Sequence, residues 1–222
     1  MDEAESRISP VIDRQEYSRR RFIKTAALAG AALTAAGIGG VGFATRYAEA
    51  QQQDNYPTYQ GLGDVAILQF ALQLERLEGT FYANGVNASV LSGNALTQIA
   101  AIRDHEMAHA DAIAGTLQKL DAAVPAAPNF TYPEGAFTNS GTFLQLAATF
   151  EPVGIGAYGG AAAALQSKEI LASALSIHNV ECQHRVAINI LNGVQPPNNL
   201  AFEPSLPLKS VQQAVAPFGI MS

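Results

Sequence analysis

The stretch Ile177-His178-Asn179-Val180-Glu181-Cys182-Gln183-His184-Arg185 sets a carboxylate and an imidazole three residues apart within a helical pattern. Leu171, Leu175, Ile177, Ile188 and Leu191 approximate helical spacing, so Glu181 and His184 occupy neighbouring positions on one face. At about 3.6 residues per turn, the three-residue step leaves the two side chains about 60° apart, within reach of one ion. A carboxylate with a neutral imidazole suits borderline divalent metals such as iron, manganese or zinc. Alone, Glu-x-x-His describes an exposed ion pair or a satisfied core histidine equally well. Here the pattern occurs twice, the second time as Glu106-Met107-Ala108-His109.

Around these two pairs the apolar periodicity predicts four long helices. The first runs from Val65 to about Ala83, with Asp64 as N-cap and Gly85 as its stop. The second runs from about Ala95 to Leu120 and carries Glu106 and His109. Residues 121–141 lose the periodicity and contain Pro125, Pro128 and Pro133. A connection of that length predicts a crossover running the length of a bundle, so that the third helix lies parallel to the second. That helix, Thr142 to Leu165, has Glu151 as its one acid, and Pro152 is expected to kink or reorganise it. Ser167 is placed to cap a fourth helix that ends near Asn192, before Gly193.

The carboxylates repeat. Glu75 precedes Glu106 by 31 positions and Glu151 precedes Glu181 by 30, so each half carries Glu and then Glu-x-x-His. Tyr82 and Tyr158 each follow the single glutamate of their half by seven residues. That is about two turns, which puts each tyrosine on its glutamate's face.

This arrangement resembles the ferritin-like superfamily, and the chain is similar to its exported, desiccation-related members in bacteria and fungi. In that superfamily one Glu from each of two helices and Glu-x-x-His from each of the other two hold a pair of iron or manganese ions. The resemblance covers about Asp64 to Asn192. It implies that Glu75 and Glu151 each cap one metal, that Glu106 and Glu181 bridge the two, and that His109 and His184 complete the shell. Glu78 competes with Glu75, being as close to the apolar stripe; the repeat spacing and Tyr82 favour Glu75. Pro152 beside Glu151 departs from the commoner ferritin pattern. His105 and His178 are read as supporting or core histidines. Tyr82 and Tyr158 are either hydrogen-bond donors to ligand carboxylates or ordinary core tyrosines. Cys182 is read as a small buried hydrophobe facing away from the ligands.

The first fifty residues differ in kind. Ser18-Arg19-Arg20-Arg21-Phe22-Ile23-Lys24 resembles the twin-arginine export signal at every position, and an uncharged, Ala- and Gly-rich run from Thr25 to Ala44 follows it. Ala48-Glu49-Ala50 has the small-x-small form of a cleavage site. The uncharged run is also about the length that spans a bilayer, so an uncleaved signal would anchor the protein to the membrane. The chain thus divides into an export signal (1–50), a lead-in (51–63), the four-helix bundle (64–193) and a Pro-rich tail (194–222). The tail carries a short helix near Lys209 to Ala216.

With 222 residues and 48% hydrophobic side chains, the chain can build one domain with a sizeable core. Residues 51–222 hold six basic and thirteen acidic side chains, a formal charge of −7, which argues against nucleic acid as a partner and for attraction of cations. One cysteine excludes an intramolecular disulfide and a cysteine-rich zinc site.

The resulting expectation is an all-α, ferritin-like four-helix bundle with a long crossover between helices 2 and 3. It is expected to bind two iron or manganese ions, zinc being compatible, and to reside in the periplasm or outside the cell. Its partners would be metal ions, small oxidants and the twin-arginine translocation machinery, and a homo-oligomer, up to a hollow shell, is compatible with the fold. Two functions remain open. One is a di-metal oxidoreductase, ferroxidase or catalase-like, that protects against oxidative or desiccation stress. The other is a non-catalytic, structural stress protein with a vestigial or single-metal site.

Overall fold

In a computed structural model the described residues are 59–220. The expected export signal and most of the lead-in lie outside them. The elements are α1 (Gly63–Asn87), α2 (Gly93–Lys119), α3 (Ser140–Ala161), α4 (Lys168–Leu191) and α5 (Leu208–Val215). Single 3-10 turns follow α3 (Ala162–Ala164) and α5 (Ala216–Phe218). Among the described residues there is no strand, and no helix is long and apolar enough to cross a membrane.

The hydrogen bonds of the connections give the helix directions. A tight turn between α1 and α2, closed by Val90 N–H donating to Gly85 O at 3.1 Å, makes those helices antiparallel neighbours. The crossover then follows α1. Gln69 Nε2 donates to Ala123 O at 2.8 Å, Arg76 to Pro125 O, and Tyr132 Oη to Leu77 O at 3.0 Å. Phe137 packs beside Phe81, with ring centroids 5.8 Å apart. The chain has thereby returned to the far end of α1 before α3 begins, so α2 and α3 run the same way and α1 and α3 are antiparallel. The fourth helix doubles back after a short connection.

Two capping residues behave differently. Ser167 Oγ accepts from Ile170 N–H at 3.3 Å and caps α4 as the sequence predicts. Asp64 does not cap its own helix, which begins at Gly63 without a side-chain cap. Its carboxylate accepts from Gln166 and Ser167 N–H, both at 2.8 Å, and ties the start of α1 to the α3–α4 connection. Two free donors in that loop, with no helix partner of their own, compete successfully for it.

One of the two expected breakers does not act as one. Gly85 does not stop α1, which runs on to Asn87. Its missing Cβ is what lets the Phe143 ring lie against the helix, and Phe143 in turn stacks on Phe81 with centroids 4.5 Å apart. Pro152, expected to kink or reorganise α3, lies within a helix that runs from Ser140 to Ala161.

The core lies between the four long helices and includes Leu72, Leu77, Phe81, Ile99, Ile102, Phe143, Ile155 and Ile188, all enclosed. Each contributes about 1.5–3 kcal/mol by leaving water. The tail closes one flank of α3: Leu206 N–H donates to Gly156 O at 2.8 Å, and Thr131 N–H of the crossover to Phe218 O at 3.1 Å. Leu206, Val211, Val215 and Phe218 are buried there.

Candidate metal centre

Each long helix brings its acidic residue to the same level of the bundle. Glu75 comes from α1, Glu106 and His109 from α2, Glu151 from α3, and Glu181 and His184 from α4. All are buried or nearly so: Glu106 and Glu151 are 0% exposed and Glu75 3%, while the His109 side chain keeps 12%. Four carboxylates in an apolar interior demand compensating charge.

The potential ligand atoms fall into two groups, each drawn together within 4.8 Å: Glu75, Glu106, His109 and Glu181, and Glu106, Glu151, Glu181 and His184. Glu106 and Glu181 belong to both. His109 Nδ1 lies 3.1 Å from Glu181 Oε1, 3.2 Å from Glu75 Oε2 and 3.6 Å from Glu106 Oε2. His184 Nδ1 lies 2.8 Å from Glu106 Oε1 and 3.7 Å from both Glu151 Oε2 and Glu181 Oε2. Glu106 and Glu181 therefore each turn one oxygen to one histidine and the other oxygen to the other.

The donor set fits divalent ions. Both oxygens of Glu106 and of Glu181, Oε2 of Glu151 and Nδ1 of His184 are buried without a hydrogen-bond partner. They crowd one another at short range but are not aligned as donors and acceptors. Ligand atoms about 2.0–2.2 Å from a common ion stand about 3–3.5 Å apart, close to the spacing found here.

Without cations, the protons distribute unevenly. Burial first, and then the neighbouring carboxylates, push the Glu106 carboxyl well above the ordinary range, and burial and Glu181 do the same to Glu151. Burial would raise Glu181 as well, but His109 and His184 close beside it outweigh that and lower it. Burial alone would lower the pKa of His109, but its bonds to Glu181 and Glu75 raise it to about 9. His109 thus favours its imidazolium and Glu181 its carboxylate, while Glu106 and Glu151 favour the protonated acid.

The surrounding contacts aim the ligands. The hydroxyl of Tyr158 donates to Glu75 and that of Tyr82 to Glu151. Each tyrosine thus serves the glutamate of the opposite half, a crossing that follows from antiparallel α1 and α3. His105 Nδ1 lies 2.9 Å from His184 Nε2 and supports that ring from outside. His178 stays apart, its Nδ1 3.9 Å from the sulfur of Cys182. Cys182 itself is half-buried rather than enclosed.

Glu78 joins neither group. It is buried between α1 and α3 where Gly154 leaves room; a Cβ on Gly154 would sit 3.0 Å from Glu78 Oε1. Burial, then Glu181, Glu151 and Glu75, hold its carboxyl well above the usual range and so favour its protonated form. Arg185, beside His184, was not singled out from the sequence. It is buried and pairs with Glu203 of the tail at 2.6 Å. That partner lies eighteen residues on in a segment without periodicity, so no sequence signal connects the two.

Four helices in the up-down-down-up order, with a buried Glu and Glu-x-x-His from each half, define a helical bundle whose buried carboxylates and histidines could hold metal ions. The chain belongs to the ferritin-like domain family, whose sequence pattern matches residues 63–193. A comparison with curated proteins found no match.

Proposed function

We propose that this protein holds two iron or manganese ions and uses them to oxidise ferrous ions or to remove peroxide, protecting an exported compartment from oxidative or desiccation stress. The observation that carries this reading is the division of Glu106 and Glu181 between the two histidine-centred groups. Glu75 and His109 would complete the shell of one ion, Glu151 and His184 that of the other. When bound, such a pair supplies reversible electron exchange with oxygen or peroxide. The chain's own part is to neutralise the ions with carboxylates, to hold those carboxylates through Tyr82 and Tyr158, and to keep the site in a dry interior. The twin-arginine-like stretch at Ser18 to Lys24 supports export, by a route that carries folded proteins and so allows metal loading beforehand.

Ferrous protein exposed to oxygen or peroxide tests the chemistry. Wild type is expected to turn over several equivalents of ferrous ion or peroxide, and the Glu106→Ala/Glu181→Ala variant none above the uncatalysed rate. Equal rates in the two would refute the reading, and metal binding without turnover would leave the structural role. For export, Arg19→Lys with Arg20→Lys is expected to keep the protein in the cytoplasm; unchanged secretion would refute the assigned route.

A further inference from the structure

The two halves of the site match in their ligands and differ in what stands behind them. The repeat that pairs Glu106 with Glu181 and His109 with His184 also pairs His105, one residue before Glu106, with Val180, one residue before Glu181. His105 Nδ1 lies 2.9 Å from His184 Nε2, and the two rings stack with centroids 5.2 Å apart and planes 14° apart. By the same repeat the residue in that position toward His109 is Val180, whose side chain can accept no hydrogen bond.

Exposure separates the halves in the same direction. The His109 side chain keeps 12% of its surface, the most of the six candidate ligands, whereas that of His184 keeps 4%. For Nδ1 of His184 to turn a lone pair to the centre, its proton must sit on Nε2, and there it donates to His105 Nδ1. A partner at the far nitrogen fixes the tautomer and the ring orientation and makes the near nitrogen more basic. His109 gains none of this from Val180 and lies closer to water.

We infer that the two ion positions are unequal. The one between Glu151 and His184 fills first and holds its ion; the one between Glu75 and His109 fills second and exchanges its divalent cation with solvent. His105 is the positioning residue that sets the difference. This rests on the dinuclear reading above and gives the two positions separate parts in it. In ferrous oxidation the His109 position takes up the substrate ion, while the His184 position keeps its ion between turnovers.

Manganous ion added stepwise to the metal-free protein, followed by electron paramagnetic resonance and calorimetry, tests the inference. The first equivalent is expected to give the signal of an isolated bound ion, and the second to convert it to that of a coupled pair, with an affinity lower by about tenfold or more. Glu75→Ala should keep the tight step and lose the weak one, and Glu151→Ala should lose the tight one. His105→Leu should weaken the tight step about 10–100-fold and leave the weak step alone. His105→Asn, whose amide oxygen can accept the same bond, should restore it. Two steps of equal affinity, loss of the tight step in Glu75→Ala, an unchanged tight step in His105→Leu, or no recovery in His105→Asn would each overturn the inference with two ions still bound to wild type. Wild type that binds fewer than two ions would instead overturn the dinuclear reading, and this inference with it.

Discussion

Glu106 and Glu181 differ from the other ligand candidates in turning one oxygen toward each histidine. Replacing Glu75 by Ala therefore leaves the group around His184 complete and is expected to cost one ion, whereas Glu106→Ala is expected to cost both. Metal analysis of the two variants distinguishes them; equal losses would contradict the bridging geometry. The tyrosines give a second test. Tyr158→Phe frees Glu75 and should weaken the ion beside His109 about 10–100-fold, while Tyr82→Phe frees Glu151 and should weaken the ion beside His184 by a similar factor. Stepwise titration with ferrous or manganous ion reads both. The twice-repeated Glu-x-x-His and the spacing of Glu75 and Glu151 were legible because one helix turn fixes which side chains share a face. The crossing of the tyrosines was not, because it depends on how α1 lies against α3, and the role of Arg185 was hidden because its partner is in an aperiodic tail.

The four long helices were legible from apolar spacing, and their ends were not. Gly85 reads as a stop and acts as a close-packing position; Asp64 reads as a cap and acts as a tie to another loop. In each case a tertiary contact, the Phe143 ring or the free N–H groups of Gln166 and Ser167, overrides the local signal. The glycines of α3 show the same principle. A Cβ on Gly160 would collide with the Leu206 carbonyl, and one on Gly156 with the Leu206 side chain. Gly160→Ala is thus expected to push the tail off α3 and to destabilise the fold by about 1–3 kcal/mol, despite the higher helix propensity of alanine. Chemical denaturation measures it, and a stability equal to or above wild type would show that the tail is not held there.

For the molecule as a whole, the buried ionisable groups link folding, metal binding and pH. His109, raised from 6.5 to about 9, contributes stability to the metal-free fold that is present below about pH 6.5 and lost as the pH climbs toward 9. Glu106 and Glu151 act in the same sense, because their folded-state carboxyls favour the proton and unfolding lets them ionise as the pH rises above 4.5. Glu181, depressed, loses its contribution only as the pH falls through its lowered value. The metal-free protein is therefore expected to melt at a lower temperature at pH 9 than at pH 6, and metal uptake at pH 7 to release protons, that of His109 among them. Calorimetry in buffers of different ionisation enthalpy counts them. Most decisive is the metal content of the protein isolated from its native source without added metal, beside that of Glu106→Ala/Glu181→Ala. Close to two irons or manganeses per chain in wild type and none in the variant is the expected result. An empty wild type, a single substoichiometric zinc, or full occupancy in the variant would contradict a dinuclear centre built on these two glutamates.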